Sequence, residues 1–170
     1  MALNEILEVQ DLATRVSTCS IGPLQAGNGT LHHLGFAVAS IAAAAESFCL
    51  SMSVRWDGQI IHDPLQQVRV AFFRSANDRN PILELVEPEG PVSPVSNFLK
   101  KRVGFHHVCY EVDDLDLALT SARGVGLAIV SGPTPAVAFD SRRIAWVCSK
   151  NRLFLMELLE RAEPQVRTRS

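Results

Sequence analysis

Phe105-His106-His107-Val108-Cys109-Tyr110-Glu111-Val112 decides the fold, because the chain says it twice. The first copy is Leu31-His32-His33-Leu34-Gly35-Phe36-Ala37-Val38. Four of the five histidines sit in these two doublets, so chance placement accounts for them poorly.

The echo continues downstream. Arg69-Val70-Ala71-Phe72 begins 36 positions after His33, and Arg143-Ile144-Ala145-Trp146 begins 36 positions after His107. Leu83-Glu84-Leu85-Val86-Glu87 is matched by Met156-Glu157-Leu158-Leu159-Glu160. His33 and Glu84 are 51 positions apart, and His107 and Glu157 are 50 apart. Such self-similarity marks an internal duplication and outranks any single motif as a fold signal. It pairs a histidine with a glutamate in each half.

The bulk properties narrow the function. With 170 residues the chain can build one good core, or two small modules sharing one. A formal net charge of -2 supplies no basic excess for a nucleic-acid partner. Cys19, Cys49, Cys109 and Cys148 show no Cys-x-x-Cys spacing and read as buried thiols of a reducing compartment. There is no apolar run of about 18 residues and no basic segment leading into an apolar one at the start. A cytoplasmic protein with no membrane partner is expected.

Residues 3–17 carry apolar positions at helical spacing, and 20–30, with three glycines and a proline, read as a linker. Residues 1–30 are therefore an N-terminal extension. The first module, 31–88, reads as strand 31–39, helix 41–52, and strands 54–62, 68–74 and 82–86. Residues 89–104 join the modules and hold a short helix over 95–102. The second module, 105–161, repeats the order with strand 105–112, a helix capped by Asp113 or Asp114, and strands 127–130, 143–147 and 153–158. Gly132-Pro133-Thr134-Pro135 reads as the start of a loop, and 162–170 as a tail. The fold class is α+β, with two tandem βαβββ modules forming a curved mixed sheet around a central cleft.

Side chains alternate along a strand. His32, Leu34, Phe36 and Val38 then share the apolar, helix-packed face, and Leu31, His33, Gly35 and Ala37 share the open one. In the second copy His106 falls with Val108, Tyr110 and Val112, while His107 falls with Phe105, Cys109 and Glu111. The pattern nominates His33 and His107 for the cleft and leaves His32 and His106 at the packed rim. Glu84 and Glu157 lie inside apolar strands, where a carboxylate is costly unless it is paired or bound to a metal. Glu87 and Glu160 stand at strand ends, where solvent suffices. Two imidazoles and two carboxylates form a mixed nitrogen and oxygen donor set. It suits an octahedral divalent ion such as Co, Ni, Mn, Fe or Zn, with positions left for water or substrate.

This repeated unit, with a histidine on each first strand and a glutamate on each last strand, resembles the vicinal oxygen chelate superfamily, and within it the methylmalonyl-CoA epimerases. The residues that carry the resemblance are His33-Leu34-Gly35-Phe36-Ala37-Val38, Leu83-Glu84-Leu85-Val86-Glu87-Pro88, Ser93-Pro94-Val95-Ser96-Asn97-Phe98-Leu99, Gly104 to Asp114, Arg142 to Trp146 and Met156-Glu157-Leu158. The resemblance implies metal ligands at His33, Glu84, His107 and Glu157, and a catalytic base at Glu157 or Glu84. It further implies an epimerase or isomerase acting at the α-carbon of an acyl thioester carried by coenzyme A or an acyl carrier protein, in a homodimer. A glyoxalase I-type lyase, another enzyme of the superfamily, and a non-catalytic small-molecule binding module are the alternatives.

Overall fold

A computed structural model describes residues 22–75, 82–90 and 92–162. The helix expected over 3–17, the break between the third and fourth strands of the first module, and most of the tail lie outside the described residues. The elements, in chain order, are α1 (Pro23–Ala26), β1 (Thr30–Ala37), α2 (Ile41–Met52), β2 (Val54–Arg55), β3 (Ile61–Asp63), β4 (Val68–Ser75), β5 (Ile82–Pro88) and α3 (Pro94–Leu99). They continue with β6 (Gly104–Val112), α4 (Leu115–Gly124), β7 (Ala128–Pro135), a 3₁₀ turn (Val137–Phe139), β8 (Arg143–Cys148) and β9 (Leu155–Glu160).

All the strands belong to one sheet in the order β2-β4-β5-β1-β6-β9-β8-β7, with β3 paired to β4. The order is the duplication made visible. In each half the first strand pairs parallel with the last, β1 with β5 and β6 with β9. The two first strands meet antiparallel at the centre. The mixed, curved α+β architecture expected from the repeat is the one observed.

The two longer helices, α2 and α4, each cover one half-sheet. In α2, Ser40 Oγ accepts the Ala43 N–H at 3.3 Å, which ties one of the free donors of the first turn. Ile41 and Ala45 face Leu83, Leu85 and Phe73, with Leu34 and Phe36 of β1 alongside. In α4, Asp114 Oδ1 accepts the Leu117 N–H at 2.8 Å, so Asp114 is the cap. Leu115, Ala118, Leu119 and Ala122, on one helical stripe, pack on Val112, Ala145 and Leu158. The opposite faces of the two half-sheets turn toward each other's ends and enclose the cleft.

Three local readings change. The strand expected over 54–62 is broken, because Asp57 Oδ1 accepts the Gln59 N–H at 2.9 Å and Gly58 takes a φ of 85°. Residues 132–135 are not a loop. They extend β7, whose place at the sheet edge lets Pro133 and Pro135 lack a ladder donor. The N-terminal extension, in its described part, covers the core as such an arm would: Leu24 packs on the second-module core and Gly27 O accepts the Asp113 N–H at 2.8 Å. Glu87 is not in solvent. It is 5% exposed, its Oε2 accepts the Ile41 N–H at 2.6 Å, and its Oε1 pairs with Arg69. Among the described residues no helix is long and apolar enough to cross a membrane.

Candidate metal centre and active site

β1 and β6 carry the histidines, and the parallel neighbours β5 and β9 carry the glutamates. The registers place Glu84 beside Gly35 and Glu157 beside Cys109, so the two halves deliver equivalent carboxylates to the central seam. His33 Nε2 and His107 Nε2 stand 3.0 Å apart. Glu84 Oε2 is 3.3 Å from both, and Glu157 Oε2 is 3.3 Å from His33 Nε2 and 3.7 Å from His107 Nε2. All four sequence-nominated residues thus converge, and all four are buried, at 0%, 2%, 4% and 3% exposure in the order His33, His107, Glu84, Glu157.

The spacing fits one divalent ion. With metal–ligand bonds of about 2.1 Å, neighbouring donors lie about 3.0 Å apart around an octahedral ion and about 3.4 Å apart around a tetrahedral one. Four of the five distances, 3.0 to 3.3 Å, fall in that interval, and the His107–Glu157 distance of 3.7 Å lies beyond it. The donor atoms of His33, His107 and Glu157 all lie within 4.8 Å of one another. Burial sets their protonation without an ion. It pushes Glu84 up to about 8, and it pushes Glu157 up to about 7 against the pull of His33. Burial also holds His33 below its ordinary value and His107 well below it. Neutral imidazoles are the form that binds metal.

The other histidine of each doublet is not at a packed rim. The β1–β6 register runs from Leu31↔Tyr110 to His33↔Cys109, and from Gly35↔His107 to Phe36↔Phe105. His32 and His106 are therefore the extra residues of two β-bulges, related by the two-fold of the repeat. A bulge breaks strict alternation and re-aims a side chain. His32 Nδ1 consequently lies 2.9 Å from His33 Nδ1, and His106 Nδ1 lies 3.0 Å from His107 Nδ1. A proton on Nδ1 of His33 and of His107, donated to these partners, leaves each Nε2 lone pair turned to the centre. Burial lowers both bulge histidines to about 4, so at neutral pH they are uncharged acceptors.

Aromatic rings wall the centre. The Phe72 ring meets His33 at 5.9 Å and the Trp146 ring meets His107 at 4.8 Å, both edge-on. The two rings are those of the duplicated Ala71-Phe72 and Ala145-Trp146. Beyond His107 opens a cavity of about 550 Å³ whose lining includes Glu84, Glu157, Val70, Phe98, Phe139 and Trp146. Asp63, absent from the sequence-nominated set, also lines it, but its oxygens accept the N–H groups of Leu65, Gln66 and Val137 at 3.0, 3.0 and 2.8 Å. It pins the first module to the second. Glu111 lies off the cavity and bonds Arg142 at 2.6 Å and Arg161 at 3.1 Å. Burial alone would raise its carboxyl, but the two arginines outweigh that and lower it.

These shifts predict how stability follows pH when no metal is bound. The four doublet histidines, all below their ordinary 6.5, cost stability as pH falls through that value. Glu84 and Glu157, raised from 4.5, cost stability as pH rises from there to about 8 and about 7. The metal-stripped protein should melt highest at about pH 6.5. Co²⁺ or Mn²⁺ should raise Tm by mass action, with a gain that grows toward pH 8 as protons leave the carboxylates. Melting curves with and without a chelator check this, and curves that superimpose at every pH would exclude a shared metal site.

The chain is similar to known proteins in sequence and in fold. A family model described as the Glyoxalase/Bleomycin resistance protein/Dioxygenase superfamily matches residues 32–146. The ethylmalonyl-CoA/methylmalonyl-CoA epimerase of Cereibacter sphaeroides is 28% identical over 125 residues, covering 72% of this chain and 90% of that protein. The mitochondrial methylmalonyl-CoA epimerase of Dictyostelium discoideum is 31% identical over 131 residues, covering 74% of each. The crystal structure of methylmalonyl-CoA epimerase from Mycobacterium tuberculosis superposes with a TM-score of 0.65 at 26% identity, over 81% of this chain and 91% of that one. Duplicated fold, paired donors and sequence match converge on one statement: the chain belongs to the Glyoxalase/Bleomycin resistance protein/Dioxygenase superfamily.

Proposed function

We propose that the chain is a divalent-metal-dependent epimerase acting at the α-carbon of an acyl thioester, with methylmalonyl-CoA or a close analogue as substrate. The observation that carries this reading is the meeting of four buried donors, two His Nε2 and two Glu Oε2, of which His107, Glu84 and Glu157 line an apolar cavity. The kinship with methylmalonyl-CoA epimerases supports the choice of substrate.

His33, His107, Glu84 and Glu157 would hold the ion. When bound, it supplies a Lewis acid toward the thioester oxygen, which makes the α-proton removable. The chain's own residues do the rest. Val70, Phe98, Phe139 and Trp146 enclose the acyl group and exclude water, which strengthens every charge interaction inside. His32 and His106 hold the two ring orientations through the Nδ1 contacts. One of Glu157 and Glu84 takes the α-proton, and the other, protonated at the outset, returns one on the other face.

The test is incubation of metal-loaded protein with (2R)- or (2S)-methylmalonyl-CoA in deuterated water. Inversion with α-deuterium incorporation is expected, and the absence of both would retire this substrate. Glu157→Gln and Glu84→Gln separate the roles, because each amide oxygen can still face the ion. Each variant should lose inversion by about 100-fold or more. Each should keep α-exchange with one enantiomer, opposite in the two variants. Loss of exchange with both enantiomers in one variant alone would assign both proton transfers to that residue.

A further inference from the structure

The four-donor centre leaves one buried group unused. Cys109 is fully buried directly across the seam from His33. Burial pushes its thiol well above the ordinary value, so the proton stays on sulfur until an ion displaces it. His32, His33 and Cys109 each bring one donor atom within 4.8 Å of the others. His32 and His33 present Nδ1 atoms 2.9 Å apart. His32 is only half-buried, so this cluster has a solvent side that Cys109 lacks.

We propose that His32, His33 and Cys109 form a second, softer cation site that takes a thiophilic divalent ion such as Cd²⁺ and, by claiming His33, silences the four-donor centre. The second half of this statement rests on the metal reading given above, and the first half does not.

The argument is one of lone pairs. A neutral imidazole has a single lone pair on nitrogen. His33 can turn it to the centre through Nε2, or to the second site through Nδ1, but not both. Donor chemistry separates the ions. The centre has only nitrogen and oxygen donors, whereas the second set adds a thiolate, which selects soft and borderline metals. Binding there forms bonds from the ion to Cys109 Sγ and to Nδ1 of His32 and of His33. The thiol proton leaves to solvent. The His33 ring proton is carried on Nε2, where Glu84 and Glu157 Oε2, each 3.3 Å away, can accept it. One proton is released per ion. Hard ions such as Mn²⁺ gain nothing from sulfur and stay with the centre.

The experiment titrates reduced, metal-stripped full-length protein with Cd²⁺ and follows the thiolate-to-cadmium charge-transfer absorbance together with proton release. Wild type and Cys148→Ser should both saturate at one sulfur-bonded ion and one proton per chain. Cys109→Ser, which keeps the size of the side chain, should show no absorbance. His32→Ala should need at least about tenfold more Cd²⁺. In protein preloaded with Mn²⁺, Cd²⁺ should release the Mn²⁺ signal at a lower concentration in wild type than in Cys109→Ser. Wild type without the absorbance, or Cys109→Ser retaining it in full, overturns the site. If Cys109→Ser fails to fold, Cys109→Ala and the cadmium NMR shift of wild type, which separates sulfur-bonded from nitrogen- and oxygen-bonded ions, decide it. Failure of the epimerase reading is visible separately, because no step of the titration uses turnover. A protein that never binds Mn²⁺ but gives the sulfur signal would keep the site and discard only the silencing.

Discussion

Gly35→Ala is expected to leave a folded protein that no longer holds a divalent ion. Gly35 faces His107 across the β1–β6 seam. A Cβ built on Gly35 would fall inside the His107 ring, against Cε1, Nδ1 and Nε2. The requirement is one of space alone, since Gly35 is not among the residues with positive φ. The imidazole must swing away, and with it go the Nε2 donor and the bond to His106. Metal affinity should fall by at least about 100-fold, the upper end of what a lost supporting partner costs. Stability should fall by only about 1–3 kcal/mol, the usual cost of one added methyl in a tight site. Metal analysis and a melting curve measure both. Stoichiometric metal in Gly35→Ala would mean that His107 is not a ligand.

The doublets predict a graded result. His33→Ala and His107→Ala each remove a nitrogen that stands 3.0 Å from its partner, so stoichiometric metal and activity should both disappear. His32→Ala and His106→Ala remove only the acceptor of an Nδ1 proton. Their metal affinity should drop by roughly 10–100-fold, and saturating metal should recover most of the turnover. Asparagine, which can offer an amide oxygen, should restore part of the affinity at either bulge position. Equilibrium dialysis with Co²⁺ ranks the four variants. His106→Ala losing metal outright while His107→Ala keeps it would invert the assignment of the second doublet.

Much of this site could be read before any coordinates. Two copies of one pattern, with histidine and glutamate about 50 positions apart in each, already imply one donor pair per half and a shared centre. Alternation along β1 put His33, Gly35 and Ala37 on one face, because from His33 onward that strand runs without an extra residue of its own. Alternation failed at His32 and His106, where a bulge exists only through pairing with the other half. Local pattern contains no information about a register that two distant strands set between them. The same limit hid Glu87, whose partners Arg69 and the Ile41 N–H lie on β4 and α2. It also hid Asp63, whose reach to Val137 spans 74 positions. Gly132 to Pro135 misled for a different reason. Proline argues against a central strand, but β7 has a free edge and can carry two.

The seam at β1 and β6 has a further consequence. Each half contributes one imidazole and one carboxylate, so neither half owns a complete set of donors. A chain cut in the joint between β5 and α3 would give two fragments, each with its own half-sheet and covering helix. Divalent metal would then serve as a reporter of fragment complementation. It would be captured only when the two pieces re-form the antiparallel junction, and it would act as the rivet that holds them there.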